Sequence, residues 1–153
     1  YYDFQTPVTP ADLSAYKAVQ IAEELPMSEK KLGEGRDYVV TLVEVDENKQ
    51  KIARKKIILS DDHKELREYG LMCVANSQYS AKAIKAYIYK APGGGSNWLY
   101  IDMEWLPGAT LQDYLSKHKK RPTERQMAQI TRDIIMGLQE LHRLGYVHRD
   151  LSP

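Results

Sequence analysis

The sequence has one cysteine, hardly any excess of charge of either sign, and no long hydrophobic run. Because Cys73 is alone, neither an intrachain disulfide nor a cysteine-based zinc site can form, which suits the cytoplasm or another reducing intracellular compartment. A net charge of +1, from 22 basic and 21 acidic residues, gives no general attraction to nucleic acid or to anionic membranes. No apolar run approaches the roughly 20 residues needed to span a bilayer. The first residue is Tyr1 rather than Met, so we expect a piece of a longer protein, and we expect no signal peptide.

The composition is that of an ordinary globular domain, with 42% hydrophobic and 28% charged residues over 153 positions. The pattern in the first half predicts a helix over residues 11–24, which either packs on the domain or binds a partner. Strands are predicted from Lys31 onward, with a glycine-containing turn in the first hairpin. A β-branched strand over residues 39–45, a polar turn over residues 46–50 and a return strand over residues 51–59 form the next hairpin. A second helix is predicted over residues 61–76, with Ser60 as its cap.

The second half of the sequence changes from strands to helices. Two strands are predicted over residues 83–90 and 98–103, joined by a glycine-rich turn. Thr110 caps a short helix after them, and a longer helix begins with a capping box at Thr123. Strands followed by helices predict an α+β fold with a mainly antiparallel sheet. The apolar residues of the longer helix recur at helical spacing and predict a core-facing stripe: Met127, Ile130, Ile134, Leu138 and Leu141.

A turn with two glycines joins the first two strands of the predicted sheet. It reads Leu32-Gly33-Glu34-Gly35-Arg36-Asp37-Tyr38-Val39-Val40. Glycines let the backbone approach a phosphate closely and aim N–H groups at it. Two glycines in a turn also occur where nothing binds, so this motif alone does not establish a phosphate site.

The return strand carries a lysine that faces inward. In Ile52-Ala53-Arg54-Lys55 the lysine lies two positions after Ala53, so both side chains point to the same face. A buried ammonium is costly without an anionic partner. Lys55 and Lys56 are also readable as a surface pair, but the register with Ala53 favours Lys55 as the inward residue.

The sequence ends with Tyr146-Val147-His148-Arg149-Asp150-Leu151-Ser152-Pro153, directly after the long amphipathic helix. In this order, the motifs resemble a protein kinase. The turn resembles Gly-x-Gly-x-x-Gly-x-Val, the strand resembles Val-Ala-Ile-Lys, and the ending resembles the catalytic loop His-Arg-Asp-Leu-Lys-Pro-x-Asn. The likeness covers roughly residues 28–153. It departs at Tyr38, which replaces the third glycine, and at Ser152, which replaces a lysine.

The resemblance implies roles in phosphate transfer from ATP to a protein. Lys55 is expected to hold the phosphates, and Asp150 to orient the acceptor hydroxyl and take its proton. The family pairs this lysine with a carboxylate from the next helix. Glu68 fits that role because Leu71 and Met72 follow it, and Glu65 is the alternative.

The resemblance also implies an adenine site on the strand and hinge Leu99-Tyr100-Ile101-Asp102-Met103-Glu104-Trp105-Leu106-Pro107-Gly108. Met103 is expected to be the gatekeeper, with main-chain hydrogen bonds from Glu104 and Leu106. The residues expected to bind ATP are Leu32, Gly33, Gly35, Val40, Ala53, Lys55, Met103, Glu104 and Leu106.

The implied fold is a five-stranded antiparallel small-lobe sheet with one helix, followed by the first helices of the large lobe. The expected division is residues 1–27 as an N-terminal extension with a helix, 28–106 as small lobe and hinge, and 107–153 as the start of the large lobe. The family's metal-binding Asn and Asp-Phe-Gly segment are expected after Pro153. The complete domain is therefore expected to use Mg²⁺, no metal ligand is predicted within this chain, and the fragment itself is expected to be inactive.

Three functions fit these motifs. The first is part of a protein kinase domain acting on Ser/Thr hydroxyls, a preference that Pro153 favours. The second is a pseudokinase or truncated kinase that acts as a binding or regulatory module for a protein partner, which Tyr38 and Ser152 favour. The third is a small-molecule phosphotransferase of the kinase-like fold, whose catalytic loop is related. Analogy of fold does not decide among them.

Overall fold

A computed structural model describes residues 12, 19–22, 24, 30–45, 50–75, 77–117 and 121–152. The chain divides into two compact units. The sheet unit consists of Leu13–Asn76 and Ala81–Leu106, and the helical unit consists of Tyr1–Asp12, Ser77–Ser80 and Pro107–Pro153. The division at residues 27 and 106 that the resemblance implies stays a prediction.

Among the described residues, the sheet unit has six strands and one α-helix, and the helical unit has two α-helices. In chain order these elements are β1 Gln20–Ala22, β2 Lys30–Glu34, β3 Tyr38–Val45, β4 Gln50–Ile58, α1 Leu66–Val74, β5 Ala83–Tyr89, β6 Trp98–Glu104, α2 Leu111–Lys117 and α3 Glu124–Arg143. The strands lie in the sheet in the order β1-β5-β6-β4-β3-β2.

Strands β3, β4, β5 and β6 form the centre of the sheet, and β4 and β6 carry runs of consecutive buried residues. Strands β3 and β4 pair over their whole overlap, from Tyr38 opposite Ile57 to Val45 opposite Gln50. We call the face that packs against α1 the inner face and the opposite one the outer face. The inner face and α1 together form the hydrophobic core: Ile57, Leu59, Leu66, Ala86, Ile88, Leu99 and Ile101.

The sheet differs from the predicted one at its edge. It has six strands rather than five, and it is mixed rather than antiparallel, because β1 runs parallel to β5 from Gln20 opposite Tyr87 to Ala22 opposite Tyr89. The helix predicted over residues 11–24 is therefore wrong at residues 20–22. Pairing with a distant strand overrides local helix propensity there. Residues 11, 13–18 and 23 of that predicted helix lie outside the described residues.

Helix α1 begins five residues later than predicted, at Leu66 rather than residue 61. Its N-cap is Glu65, which makes no side-chain cap hydrogen bond, so the prediction that Ser60 caps the helix is wrong. Residues 61–65 form turns that include His63 at φ 52°, a left-handed conformation that interrupts a helix. Ser60 instead donates its backbone N–H and its hydroxyl to the Glu65 carboxylate, at 3.1 and 2.6 Å.

The helical unit confirms the predicted helices. The Thr110 hydroxyl accepts from the Asp113 N–H at the start of α2, and Thr123 and Gln126 form the reciprocal capping box of α3. Gly145 ends the long helix at φ 82°. The apolar stripe of α3 is only half covered, since Met127 and Ile134 are exposed. No helix in the described parts of the chain combines the length and apolar character needed to cross a membrane.

Candidate active site

Strand β4 sends neighbouring side chains to opposite faces of the sheet. Ala53, Lys55 and Ile57 lie opposite Met103, Ile101 and Leu99 of β6 on the inner face. Arg54 lies opposite Asp102 on the outer face. Among the predicted site residues, Val40, Ala53, Lys55 and Met103 share the inner face.

Lys55 forms an ion pair with Glu68 on the inner face. Its Nζ donates to both carboxylate oxygens of Glu68, at 2.6 and 2.9 Å. The side chain of Lys55 is 16% exposed and that of Glu68 is 42% exposed, so the pair sits at the edge of the core rather than inside it. Glu68 lies in the first turn of α1, which holds its carboxylate over β4. The other carboxylate considered from the sequence, Glu65, bonds Ser60 instead.

The turn between β2 and β3 brings an aromatic ring to the same lysine. The Gly35 N–H donates to the Tyr38 carbonyl at 2.9 Å and closes the turn. The Lys55 Nζ lies 4.3 Å from the centroid of the Tyr38 ring, a cation–π distance. A Cβ on Gly35 would collide with that ring, whereas one on Gly33 would meet nothing within 4 Å. Sequence inspection identified Tyr38 as a departure from the family pattern but not this contact.

The remaining predicted ATP-binding residues of the sheet lie around Lys55. Val40 is the cross-strand partner of Lys55, and Ala53 is the partner of both Leu42 and Met103. Met103 packs half-buried against the hydrophobic core. Leu32 is exposed on β2, next to the open space at Gly33. Small and apolar side chains on this face are suited to a flat base.

The predicted hinge follows β6. The Glu104 N–H donates to the Lys82 carbonyl at 3.0 Å, and the Glu104 carboxylate accepts from the Lys82 N–H at 2.8 Å. Because the Glu104 N–H is already bonded, the main-chain hydrogen bond that Glu104 is expected to make to a base would come from its carbonyl oxygen. Leu106, two residues further on, is exposed.

Asp150 belongs to the helical unit, in the loop after α3. Its carboxylate is exposed, and its backbone N–H donates to Nδ1 of His148 at 3.3 Å. Arg149 has φ 62°, in the left-handed region that costs a non-glycine residue about 1 kcal/mol or more. The strained Arg149 and the bond to His148 define the local conformation of this loop.

The outer face carries a second ion pair that the sequence did not reveal. The Arg54 guanidinium donates to both oxygens of Asp102, at 2.7 and 2.9 Å, and Asp102 is fully buried. The rings of Tyr87 and Tyr100 stack beside it at 5.5 Å between centroids. The signal available in the sequence was Asp102, an acid that directly follows the apolar run Leu99-Tyr100-Ile101 and needs a cationic partner when buried.

Burial and this ion pair shift several pKa values on the outer face. The hydrogen bond to Asp102 raises the pKa of Arg54 above its ordinary value, although burial acts in the opposite direction. Burial, followed by the charge of Asp102, raises the pKa of Tyr87 far above the usual tyrosine range. Burial also raises the pKa of Tyr100. Arg54 therefore stays charged, and both tyrosines stay neutral, throughout the physiological range.

Neither a group of metal ligands nor the cavity of the helical unit includes the predicted site residues that the structure describes. In the described ranges, no three or more His, Cys, Asp or Glu side chains come together as metal ligands. The described residues therefore form no Mg²⁺ site by themselves. A cavity of about 470 Å³ lies between α2 and α3. Its lining includes Leu111, Tyr114 and Ile130 and none of the predicted site residues.

A glycine turn above a strand lysine, and a helix glutamate that bonds this lysine, define the small lobe of a kinase-like protein. The sequence model of the family described as "Protein kinase domain" matches residues 27–153. The chain belongs to the protein kinase family.

Relatives in several eukaryotes agree with this assignment. Serine/threonine-protein kinase CLA4 of Candida albicans is 29% identical over 127 residues, covering 80% of this chain and 13% of that protein. Serine/threonine-protein kinase cst-1 of Caenorhabditis briggsae is 30% identical over 123 residues, covering 80% of this chain and 24% of that protein. Serine/threonine-protein kinase hippo of Drosophila melanogaster is 28% identical over 159 aligned positions, covering 98% of this chain and 23% of that protein. The chain thus spans less than a quarter of the length of these relatives.

Proposed function

We propose that this chain supplies the ATP-binding lobe and the catalytic loop of a kinase domain that phosphorylates Ser/Thr hydroxyls of proteins. The observation that carries this proposal is the bidentate Lys55–Glu68 ion pair on the inner face of the sheet. A lysine on this strand that is held by a helix glutamate is the arrangement with which protein kinases position ATP phosphates. The family match over residues 27–153 supports it.

The chemistry proposed for the chain divides between its two units. In the sheet unit, Lys55 contacts the α- and β-phosphates of ATP while Glu68 fixes the lysine side chain. In the helical unit, the Asp150 carboxylate accepts the proton of the substrate hydroxyl while the oxygen of that hydroxyl bonds to the γ-phosphorus. The bond from the γ-phosphorus to the bridging oxygen breaks, and ADP leaves with that electron pair.

The preference for Ser/Thr hydroxyls is supported by the relatives. Each of the three is named a serine/threonine-protein kinase. In the chain itself, Pro153 matches the loop pattern of such enzymes. That the substrate is a protein belongs to the same proposal.

The test measures transfer of labelled γ-phosphate from ATP to a generic protein that carries Ser and Thr hydroxyls. The enzyme is the protein in the form in which its source organism makes it. The Asp150→Asn variant should lose at least about 100-fold in rate, the range for a general base. Asp133→Asn is the matched control on α3, where Asp133 accepts a hydrogen bond from Gln129, and its rate should match that of the unaltered protein. Transfer that persists unchanged in Asp150→Asn contradicts the proposal.

A second candidate function is a binding or regulatory module that holds nucleotide without transferring phosphate. The Tyr38 ring over Lys55 favours it, because the ring lies against the cation that phosphates need. ATP binding without measurable transfer, in both the unaltered protein and Asp150→Asn, would select this function over catalysis. No contact among the described residues favours the small-molecule phosphotransferase.

A further inference from the structure

The Tyr38 ring lies beside two groups that the proposed function assigns to the phosphates of ATP. One is the backbone of Gly35, so close that a Cβ there would collide with the ring. The other is the Lys55 ammonium, 4.3 Å from the ring centroid. In protein kinases the glycine-rich turn covers the phosphates from one side and the strand lysine contacts them from the other. The ring thus fills the gap that the phosphates of a nucleotide need.

The strand register explains how Tyr38 reaches this gap. Tyr38 lies opposite Ile57, so Lys55 is its diagonal cross-strand neighbour on the inner face, within reach of an aromatic side chain. The missing side chain at Gly35 leaves the space into which the ring packs. A glycine at position 38 would leave that gap open.

The Tyr38 ring lies where solvent can reach it, since the residue is 39% exposed. Both oxygens of Glu68 accept from the Lys55 ammonium, so the ion pair does not depend on the ring. Opening therefore forfeits one cation–π contact and one packing contact and leaves the ion pair intact.

We propose that Tyr38 is a gate on the phosphate side of the site, and this proposal rests on the proposed ATP-binding function. With the ring down on Lys55, the inner face admits a nucleoside but excludes a polyphosphate. Phosphates bind once the ring swings out, and they then replace it as the partner of the ammonium. The gate makes Tyr38 the residue that sets how strongly the site distinguishes ATP from adenosine.

The first measurement is calorimetric affinity of the full chain for ATP and for adenosine. Tyr38→Gly removes the ring, and Tyr38→Phe keeps it while removing the hydroxyl. We expect Tyr38→Gly to bind ATP at least about fivefold more tightly, the effect of removing a competing cation–π contact. Adenosine affinity should change less than twofold. Tyr38→Phe should discriminate as the unaltered chain does.

The second measurement detects the cover without any nucleotide. Lysines are acetylated with a small amine-reactive ester, and the extent at Lys55 is compared with that at Lys56 by mass spectrometry. Lys56 is the internal reference because it lies on the outer face, with its Nζ 3.9 Å from the centroid of the Trp98 ring. The Lys55/Lys56 ratio should rise several-fold in Tyr38→Gly, and Lys56 should remain as slow to react as in the unaltered chain, which shows that the sheet is intact.

The outcomes separate the gate from the function beneath it. If the ratio rises and ATP binding tightens while adenosine binding does not, the gate is supported. If the ratio stays constant, or if ATP and adenosine tighten equally, the gate is wrong. If no variant binds ATP or adenosine, the proposed function fails, and the polyphosphate gate falls with it even if the ratio shows that Tyr38 covers Lys55. Should Tyr38→Gly fail to fold, Tyr38→Ser repeats both measurements.

Discussion

Arg54 and Lys55 are neighbours in sequence, yet they form ion pairs of different kinds on opposite faces of β4. Arg54 binds Asp102 on the outer face, where the arginine side chain is 9% exposed and the carboxylate is fully buried. Lys55 binds Glu68 on the inner face, where the glutamate stays 42% exposed. A buried pair resists rearrangement, because either partner left alone is a desolvated charge. A half-exposed pair can exchange a partner for a ligand at small cost.

This difference indicates separate roles for the two faces. The outer pair joins β4 to β6 beside stacked tyrosines, and each of its buried charges depends on the other. The inner pair places an ammonium beside the Tyr38 ring at the glycine turn, where the proposed function puts the phosphates of ATP. The variants below are ordered from the largest to the smallest effect expected on the free energy of unfolding or on ligand affinity.

The largest effect is expected from removing one partner of the outer pair. Asp102→Ala leaves the Arg54 guanidinium buried without a carboxylate and should lower the free energy of unfolding by about 3–5 kcal/mol. Urea unfolding followed by circular dichroism measures it. Glu44→Gln is the control: its partner Lys51 is solvent-exposed, and the change should stay below about 1 kcal/mol.

Replacing both partners of the outer pair sharpens this result. Arg54→Met with Asp102→Leu leaves no unpaired charge and should recover most of the stability lost in Asp102→Ala. A double variant less stable than Asp102→Ala would show that the ion pair itself, rather than an unpaired charge, accounts for the loss.

Removing the lysine of the inner pair should change ligand affinity rather than the free energy of unfolding. Lys55→Met removes a charge-assisted bond to phosphate and should weaken ATP affinity about tenfold or more, with adenosine affinity unchanged. The free energy of unfolding should change by less than about 1 kcal/mol, because Glu68 keeps contact with water. Calorimetric titration measures the affinities. Lys56→Met is the control on the outer face, and equal losses in both variants would remove the distinction between the faces.

Helix α3 gives a reference outside the sheet. Thr123→Ala removes the hydroxyl that accepts from the Gln126 N–H at 3.3 Å and should cost about 1 kcal/mol. Thr131 is exposed within the same helix. Thr131→Ala should raise the free energy of unfolding by no more than about 0.5 kcal/mol, because alanine favours the helix. Thermal unfolding compares the two. If Thr131→Ala destabilises as much as Thr123→Ala does, the capping box has no specific role.

The smallest effect concerns Ser60 and Glu65, just before the helix that carries Glu68. Burial raises the pKa of Glu65, but hydrogen bonds from the Ser60 hydroxyl and N–H outweigh it, and the net pKa is lowered from the ordinary 4.5. A lowered folded-state pKa stabilises the fold above pH 4.5 and loses that contribution as the pH falls through the folded value.

Ser60→Ala should therefore cost about 0.5–1 kcal/mol at neutral pH, and the difference from the unaltered chain should shrink under acid. Urea unfolding at a series of pH values follows this difference. A difference that grows as the pH falls has the wrong sign and would refute the assignment.

Sequence reasoning succeeded where the pattern is local. The alternation in β4 put Lys55 and Ala53 on one face. The resemblance to protein kinases supplied a helix carboxylate as the partner, and the apolar residues after Glu68 favoured that one, which the structure places 2.6 Å from the lysine. It could not supply partners that are distant in sequence. Gln20–Ala22 becomes a strand only because β5 accepts it, and Arg54 meets Asp102 only because β4 and β6 are neighbours. The orientation of the Tyr38 ring depends on the space at Gly35, which no periodicity encodes.

The central claim, that the inner pair serves ATP while the outer pair serves the fold, is tested most directly by ATP-dependent stabilisation. The unaltered chain, Lys55→Met and Asp102→Asn are unfolded in urea with and without ATP at one hundred times the dissociation constant of the unaltered chain. ATP should stabilise the unaltered chain by about 2.7 kcal/mol. Without ATP, Asp102→Asn should have a lower free energy of unfolding than the unaltered chain, and ATP should raise it by the same amount. Lys55→Met should have nearly the unaltered free energy of unfolding without ATP, and ATP should raise it by about half as much. Equal gains in the unaltered chain and Lys55→Met, or a gain lost only in Asp102→Asn, would contradict the account.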